Sequence, residues 1–127
     1  MLRHSDGFTL IESIVAMGLV VSIAAGSAQL FGLALARNLA AREQLAMSLL
    51  ASTKVNDLAA AAADGKIALP SAGEDTAVQG GRTYRRRWTV SRVPGFGDDA
   101  AAIALAVTPV AGAGEVRLAS IREWAHP

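Results

Sequence analysis

The sequence predicts an α+β chain: one long N-terminal helix followed by a small antiparallel sheet. Two observations predict it. From Thr9 to Ala63 no proline interrupts the chain, and the first proline is Pro70. Beyond Gly80-Gly81, three short segments alternate apolar and polar side chains, separated by Gly- and Pro-containing turns. With 127 residues and no internal repeat, the chain has room for one domain.

The helix opens on an apolar stretch. Ser13 to Ala36 is 24 residues without a charge, and about 20 suffice to span a hydrocarbon core. Ile14, Val15, Leu19, Val20, Val21, Ile23, Leu30, Phe31, Leu33 and Leu35 are strongly apolar. At roughly −0.3 to −0.6 kcal/mol each, such side chains favour insertion by about 3–6 kcal/mol in all. One carboxylate, Glu12, stands at the start of this stretch. A carboxylate at the bilayer centre costs roughly 2.5–3.5 kcal/mol, so its presence marks a functional site with a partner. Gly18, Ser22 and Gly26 repeat at four-residue spacing, as do Ala24, Ala28 and Gly32. Small residues at this spacing let helices approach closely; the general abundance of Gly and Ala in membrane helices produces the same pattern.

Plainer readings share this hydropathy. One is an ordinary single-pass anchor. The other is a secretory signal peptide, with Met1-Leu2-Arg3 as the charged region and Gly26-Ser27-Ala28 as the cleavage site. That alternative makes the mature chain a secreted or periplasmic binding domain starting near Gln29. Two features fit it poorly: the single Arg3 is offset by Asp6, and Glu12 lies early in the apolar region.

The helical pattern continues past the apolar stretch. Arg37 to Ala63 has neither Pro nor Gly and is rich in good helix formers. Asp64-Gly65 supplies the stop. A helix from about Thr9 to about Ala63 is about 80 Å long. In its outer half Leu45 and Leu49 fall on one side, and Leu39, Met47, Leu50 and Leu58 on the other. A helix apolar on two sides needs two partners. One is the C-terminal domain of the same chain; the other is neighbouring helices. Leu45 and Leu50 are the candidate packing residues.

Residues 64–81 read as a polar connection containing Pro70, Ser71 and Gly73, with Gly80-Gly81 as a hairpin turn. Arg82 to Val93 alternates, with Tyr84, Arg86, Trp88 and Val90 on one face. After the turn Pro94 to Asp99, a second strand runs over Ala102 to Thr108. After a second turn, Pro109 to Gly114, a third runs over Glu115 to Trp124. Three such strands form a meander that must cover one face of the helix to be stable.

Composition narrows the function. Net charge is +1, so bulk charge points to neither nucleic acid nor anionic lipid. There are no cysteines, so neither a disulfide framework nor thiol chemistry is expected. Arg85-Arg86-Arg87 is accompanied only by Tyr84 and Trp88, and Gly80-Gly81 is no phosphate loop. Solvated strand residues, or ion pairs with acids such as Asp98, Asp99 or Glu123, are expected there. Asp98-Asp99 has no further acid in its loop, so no calcium loop is expected. His4 and His126 sit near the two ends. No catalytic residue, cofactor or metal site is read from the sequence.

The junction Gly7-Phe8-Thr9-Leu10-Ile11-Glu12-Ser13 resembles the class III leader junction of type IV pilins and type II secretion pseudopilins. That pattern is a short polar leader ending in Gly, then Phe, then Thr-Leu-Ile-Glu, then an apolar helix. The resemblance is close over the first 36 residues and looser over the next 27. It implies cleavage between Gly7 and Phe8 by a membrane-embedded prepilin peptidase, and N-methylation of Phe8 by the same enzyme. It also implies that Glu12 pairs with the N-terminal amine of a neighbouring subunit during assembly. Positions i and i+4 share a helix face, so an amine on Phe8 lies near Glu12.

The resemblance further implies a pilin-like lollipop fold. Its parts are a leader (1–7), a transmembrane and assembly half of the helix (8–36), a soluble half (37–63) and a small sheet domain (64–127). The implied partners are inner-membrane lipid and other minor and major pilins or pseudopilins, with no nucleic acid. The implied topology is single-pass, with the leader cytoplasmic and the C-terminal domain periplasmic, before incorporation into a filament. The chain lacks both the C-terminal disulfide loop and the mid-helix proline of many major pilins. It looks most like the small minor subunits, the I type of type II secretion or the V type of the type IV pilus.

Overall fold

The computed structural model describes residues 9–124. Its elements are α1 (Leu10–Ala63), β1 (Ser71–Gln79), β2 (Arg82–Arg92), β3 (Ala100–Pro109) and β4 (Val116–Glu123). The chain divides into two compact units between Ala40 and Ala41. In the first unit the described residues are almost all helical and almost all exposed. The second unit holds the remainder of α1 and a four-stranded antiparallel sheet in the order β1-β2-β3-β4. The chain is therefore α+β, as its sequence predicts.

α1 ends where Asp64-Gly65 predicts. Gly65 takes φ = 70°. Its N–H donates to the Ala62 carbonyl at 3.1 Å, and the Lys66 N–H donates to the Ala61 carbonyl at 2.9 Å. This is the paired closure that satisfies the last carbonyls of a helix, and it needs the left-handed residue glycine supplies. Met47, Ala51, Val55, Leu58 and Ala62 are buried, spaced three or four apart on one stripe. The first four pack with Tyr84 and Val90 of β2 and Ala101, Ile103, Leu105 and Val107 of β3. Burying each larger side chain contributes about 1.5–3 kcal/mol.

The sheet has one strand more than the sequence suggests. Residues 71–79, read as part of a connection, form β1, paired with β2 from Ser71 opposite Val90 to Gln79 opposite Arg82. The reason is visible in its inward face of Ser71, Gly73, Asp75 and Ala77, none of which is a large apolar residue. Gly80-Gly81 makes the predicted hairpin turn, with φ of 58° and 76°. Positive φ at both central positions matches the right-handed twist of the flanking strands. The other three strands lie where alternation places them, with ends shifted by at most two residues.

Strand pairing also corrects the expected ion pairs of the arginine run. Arg85 and Arg87 lie on the outward face beside Glu74, at 3.3 and 3.0 Å. Arg86 turns inward onto Asp75 at 2.7 Å. The β1–β2 register sets Glu74 opposite Arg87 and Asp75 opposite Arg86. Asp98 pairs instead with Arg92, at 2.7 Å.

Candidate functional site

Thr9 starts α1. Its Oγ1 accepts the Glu12 N–H at 3.2 Å, and its carbonyl accepts the Ser13 N–H at 3.0 Å. Thr9 is thus the N-cap and Glu12 the third helical residue, the Thr-x-x-Glu spacing of a capping box. The sequence reading missed this role, although the spacing alone carries the signal. Glu12 is exposed in the first turn, where the positive end of the helix dipole favours a negative charge. The helix dipole is therefore a local reason for a carboxylate in this first turn, additional to any partner. Gly7 and Phe8, the predicted cleavage and methylation site, lie outside the described residues.

Glu12 apart, the helix is apolar on every side as far as Ala36. Leu10, Ile11, Ile14, Val15, Met17, Leu19, Val20, Val21 and Ile23 are all exposed, as are Leu30, Phe31, Leu33 and Leu35. A helix apolar all round is stable when something apolar surrounds it, and α1 is long and apolar enough to cross a membrane. The Ser22 hydroxyl donates to the Gly18 carbonyl and the Ser27 hydroxyl to the Ile23 carbonyl, each at 2.8 Å. Both hydroxyls are thereby satisfied within the helix, as a hydrocarbon environment requires. Nothing lies within 4 Å of a Cβ placed on Gly18 or Gly26. The Gly18, Ser22, Gly26 stripe is open for close approach by another helix.

The two candidate packing leucines differ in environment. Leu45 is 61% exposed, and Leu49 and Leu39 are exposed as well. Leu50 is half-buried and packs against the core of its own chain. The free apolar side of this part of α1 is therefore that of Leu45 and Leu49, while Leu50, with Met47 and Leu58, holds the sheet. Leu39, grouped with them by its angular position, is exposed because the packed stripe begins only near Ala46.

Elsewhere, polar groups serve the fold. Asp75 accepts both Arg86 Nε at 2.7 Å and Arg86 Nη2 at 2.8 Å, and Lys54 Nζ at 3.1 Å. Burial pushes the Asp75 carboxyl up, but hydrogen bonds and charges from Arg86 and Lys54 outweigh it and hold the group below its ordinary value. The outward face of the sheet carries a shallow trough over Ala104 and Ala106, flanked by Arg87, Thr89, Arg117 and Ala119. Among the described residues, no three His, Cys, Asp or Glu side chains cluster as metal ligands would.

No family model, curated protein or solved structure matches the chain. Its functional surface is accordingly defined by its own geometry: a capped, acid-bearing helix start, an exposed apolar helix with an open small-residue stripe, and a sheet-covered second half. These site residues are distributed along one helix rather than gathered in a pocket.

Proposed function

We propose that this chain is a minor pilin or pseudopilin, a non-enzymatic subunit that helps initiate or cap a type II secretion or type IV pilus-like filament. One observation carries the reading. The Gly7-Phe8-Thr9-Leu10-Ile11-Glu12 junction leads into the first turn of α1, which is uncharged from Ser13 to Ala36 and exposes its apolar side chains all round. A prepilin peptidase cuts after Gly7 and methylates the new amine of Phe8. The subunit waits in the inner membrane, with its sheet domain in the periplasm, and then joins other minor and major subunits.

The physical sequence of events follows from charge. In lipid, Glu12 is costly, and a local cap reduces that cost only in part. A neighbouring subunit's Phe8 ammonium offers an opposite charge in low dielectric, where attraction is strong, although desolvation offsets part of it. The Gly18, Ser22, Gly26 stripe and the Leu45, Leu49 side then supply helix contacts along the filament.

N-terminal analysis of the mature protein by mass spectrometry tests the reading. The expected start is N-methylated Phe8, and Gly7→Ala leaves the precursor uncut when the peptidase is co-expressed, because added volume obstructs the scissile bond. A mature start near Gln29 would instead make the chain a secreted or periplasmic domain with a conventional signal peptide.

A further inference from the structure

β1 differs from the other strands in what holds it in place. Its inward residues Ser71, Gly73, Asp75 and Ala77 are all half-buried, and none belongs to the buried core. The inward residues of β2 and β3 include Tyr84, Val90, Ile103, Leu105 and Val107, all buried. β1 is also an edge strand, hydrogen-bonded to β2 alone. Beside the Trp88 ring, which lies against Gly73, what fastens its inward face is charge: Asp75 grips Arg86 of β2 through two hydrogen bonds and Lys54 of α1 through a third. Lys54 is the polar link from β1 to the helix among the described residues, and its ammonium also rests 4.0 Å from the centroid of the Trp88 ring. The Asp75 side chain is 32% exposed, so protons reach it.

We propose that β1 is a releasable edge strand, held by the Asp75–Arg86–Lys54 clasp rather than by apolar burial, and that it opens as a unit when the Asp75 carboxylate is protonated. The buried set lies in α1, β2 and β3, so a three-stranded sheet on the helix keeps its core after β1 leaves. Opening frees the main-chain groups of β2 that faced β1 and uncovers Trp88. The charged groups facing Asp75 are Arg86 from β2 and Lys54 from α1. Glu74 points to the other face with Arg85 and Arg87, so its protonation leaves the clasp intact. The clasp is complete at neutral pH and is lost as pH falls through the folded-state value of Asp75. The inference stands on the sheet alone and is independent of the assembly reading.

Amide hydrogen exchange on the full chain in detergent micelles, corrected for the chemical exchange rate at each pH, tests it. On acidification below about pH 3.9, the ordinary carboxylate value, protection of residues 71–79 should fall about tenfold or more. Protection across β3 and residues 47–62 should persist. Asp75→Asn should show the open pattern already at neutral pH, with little further response to acid. Lys54→Gln, which leaves the Arg86 pair, should fall between. If Asp75→Asn does not fold, acidification of the wild type still decides the matter. Protection of β1 equal to that of β3 at both pH values would overturn the proposal, as would simultaneous loss from β1, β3 and the helix.

Discussion

The indole of Trp88 lies against Gly73, the residue opposite it on β1: a Cβ placed on Gly73 falls 2.6 Å from Cζ2 and 2.8 Å from Cε2 of the ring. The ring fills the space a side chain at position 73 needs, and Lys54 sits over it. Trp88 thus joins β1, β2 and α1 at one place, and the smallest residue of β1 makes that possible.

Gly73→Ala should therefore destabilise the fold by about 1–3 kcal/mol, the usual range for overpacking a fitted site. The ring has to rotate away or β1 has to separate from β2. Ala72, its neighbour, is exposed on the other face, and Ala72→Thr should change stability by no more than about 0.5 kcal/mol. Denaturant midpoints of the two variants check this. A Gly73→Ala midpoint equal to wild type would mean the contact is looser than its geometry indicates.

Glu74 and Asp75 are adjacent carboxylates with opposite surroundings. Glu74 meets Arg85 and Arg87 in solvent, where such pairs contribute about 0–1 kcal/mol. Asp75 meets an Arg86 side chain only 13% exposed and a Lys54 side chain 18% exposed, and charged hydrogen bonds there contribute roughly 1.5–3 kcal/mol. Asp75→Ala should cost clearly more than Glu74→Ala. Because the Asp75 carboxyl is held below its ordinary value, its contribution is present above the unfolded value and declines as pH falls through the folded one. Unfolding midpoints measured down the acid range should show a decline in the wild type that Asp75→Ala lacks.

These features also show what a sequence can and cannot carry. The Schellman-type stop at Gly65, the Gly80-Gly81 turn and strands β2 to β4 follow from local chemistry and alternation, so they are readable in advance. β1 is not, because Ser71, Gly73, Asp75 and Ala77 gain their place from Trp88, Arg86 and Lys54, distant in sequence and unknown until the sheet is paired. The solvated state of Arg85 and Arg87 is legible in the alternation, but the acids that pair with the arginine run are not, for the same reason. The cap is a different case: Thr9 and Glu12 stand at capping-box spacing, but the apolar helix beyond them drew the carboxylate into a membrane argument alone.

Leu45 and Leu50 should separate assembly from folding. Leu50 packs on the core of its own chain, so Leu50→Asp should lower stability by about 2–5 kcal/mol through loss of burial and insertion of an unpaired charge. Leu45 is exposed, so Leu45→Asp should leave the melting temperature nearly unchanged. If the exposed side of α1 meets other subunits, Leu45→Asp should reduce co-purification with partner minor subunits at equal membrane levels. Undiminished co-purification would make that side of α1 a spacer rather than a contact surface.

The two roles open to Glu12, capping α1 and pairing with a neighbour, can be told apart with three variants. Glu12→Ala removes both. Glu12→Gln keeps a side chain that completes a capping box but removes the charge. Thr9→Ala removes the side-chain acceptor of the Glu12 N–H and keeps the charge, at about 0.5–2 kcal/mol of local helix stability. If pairing with a Phe8 ammonium governs assembly, Glu12→Ala leaves that buried charge alone, which costs roughly 3–5 kcal/mol. More than two logs of assembly equilibrium go with it. Glu12→Gln should then be strongly impaired, though less than Ala because its amide still accepts a hydrogen bond, while Thr9→Ala should assemble nearly as wild type. If the cap alone matters, the order reverses: Thr9→Ala fails and Glu12→Gln is tolerated. Membrane insertion should be unharmed in all three: Glu12→Ala and Glu12→Gln remove the costly charge, and Thr9 lies outside the uncharged span from Ser13 to Ala36. The measurement is recovery of the subunit in sheared filaments or cross-linked subunit complexes, normalised to its membrane level. Equal recovery of Glu12→Ala and wild type would remove the pairing role from this chain.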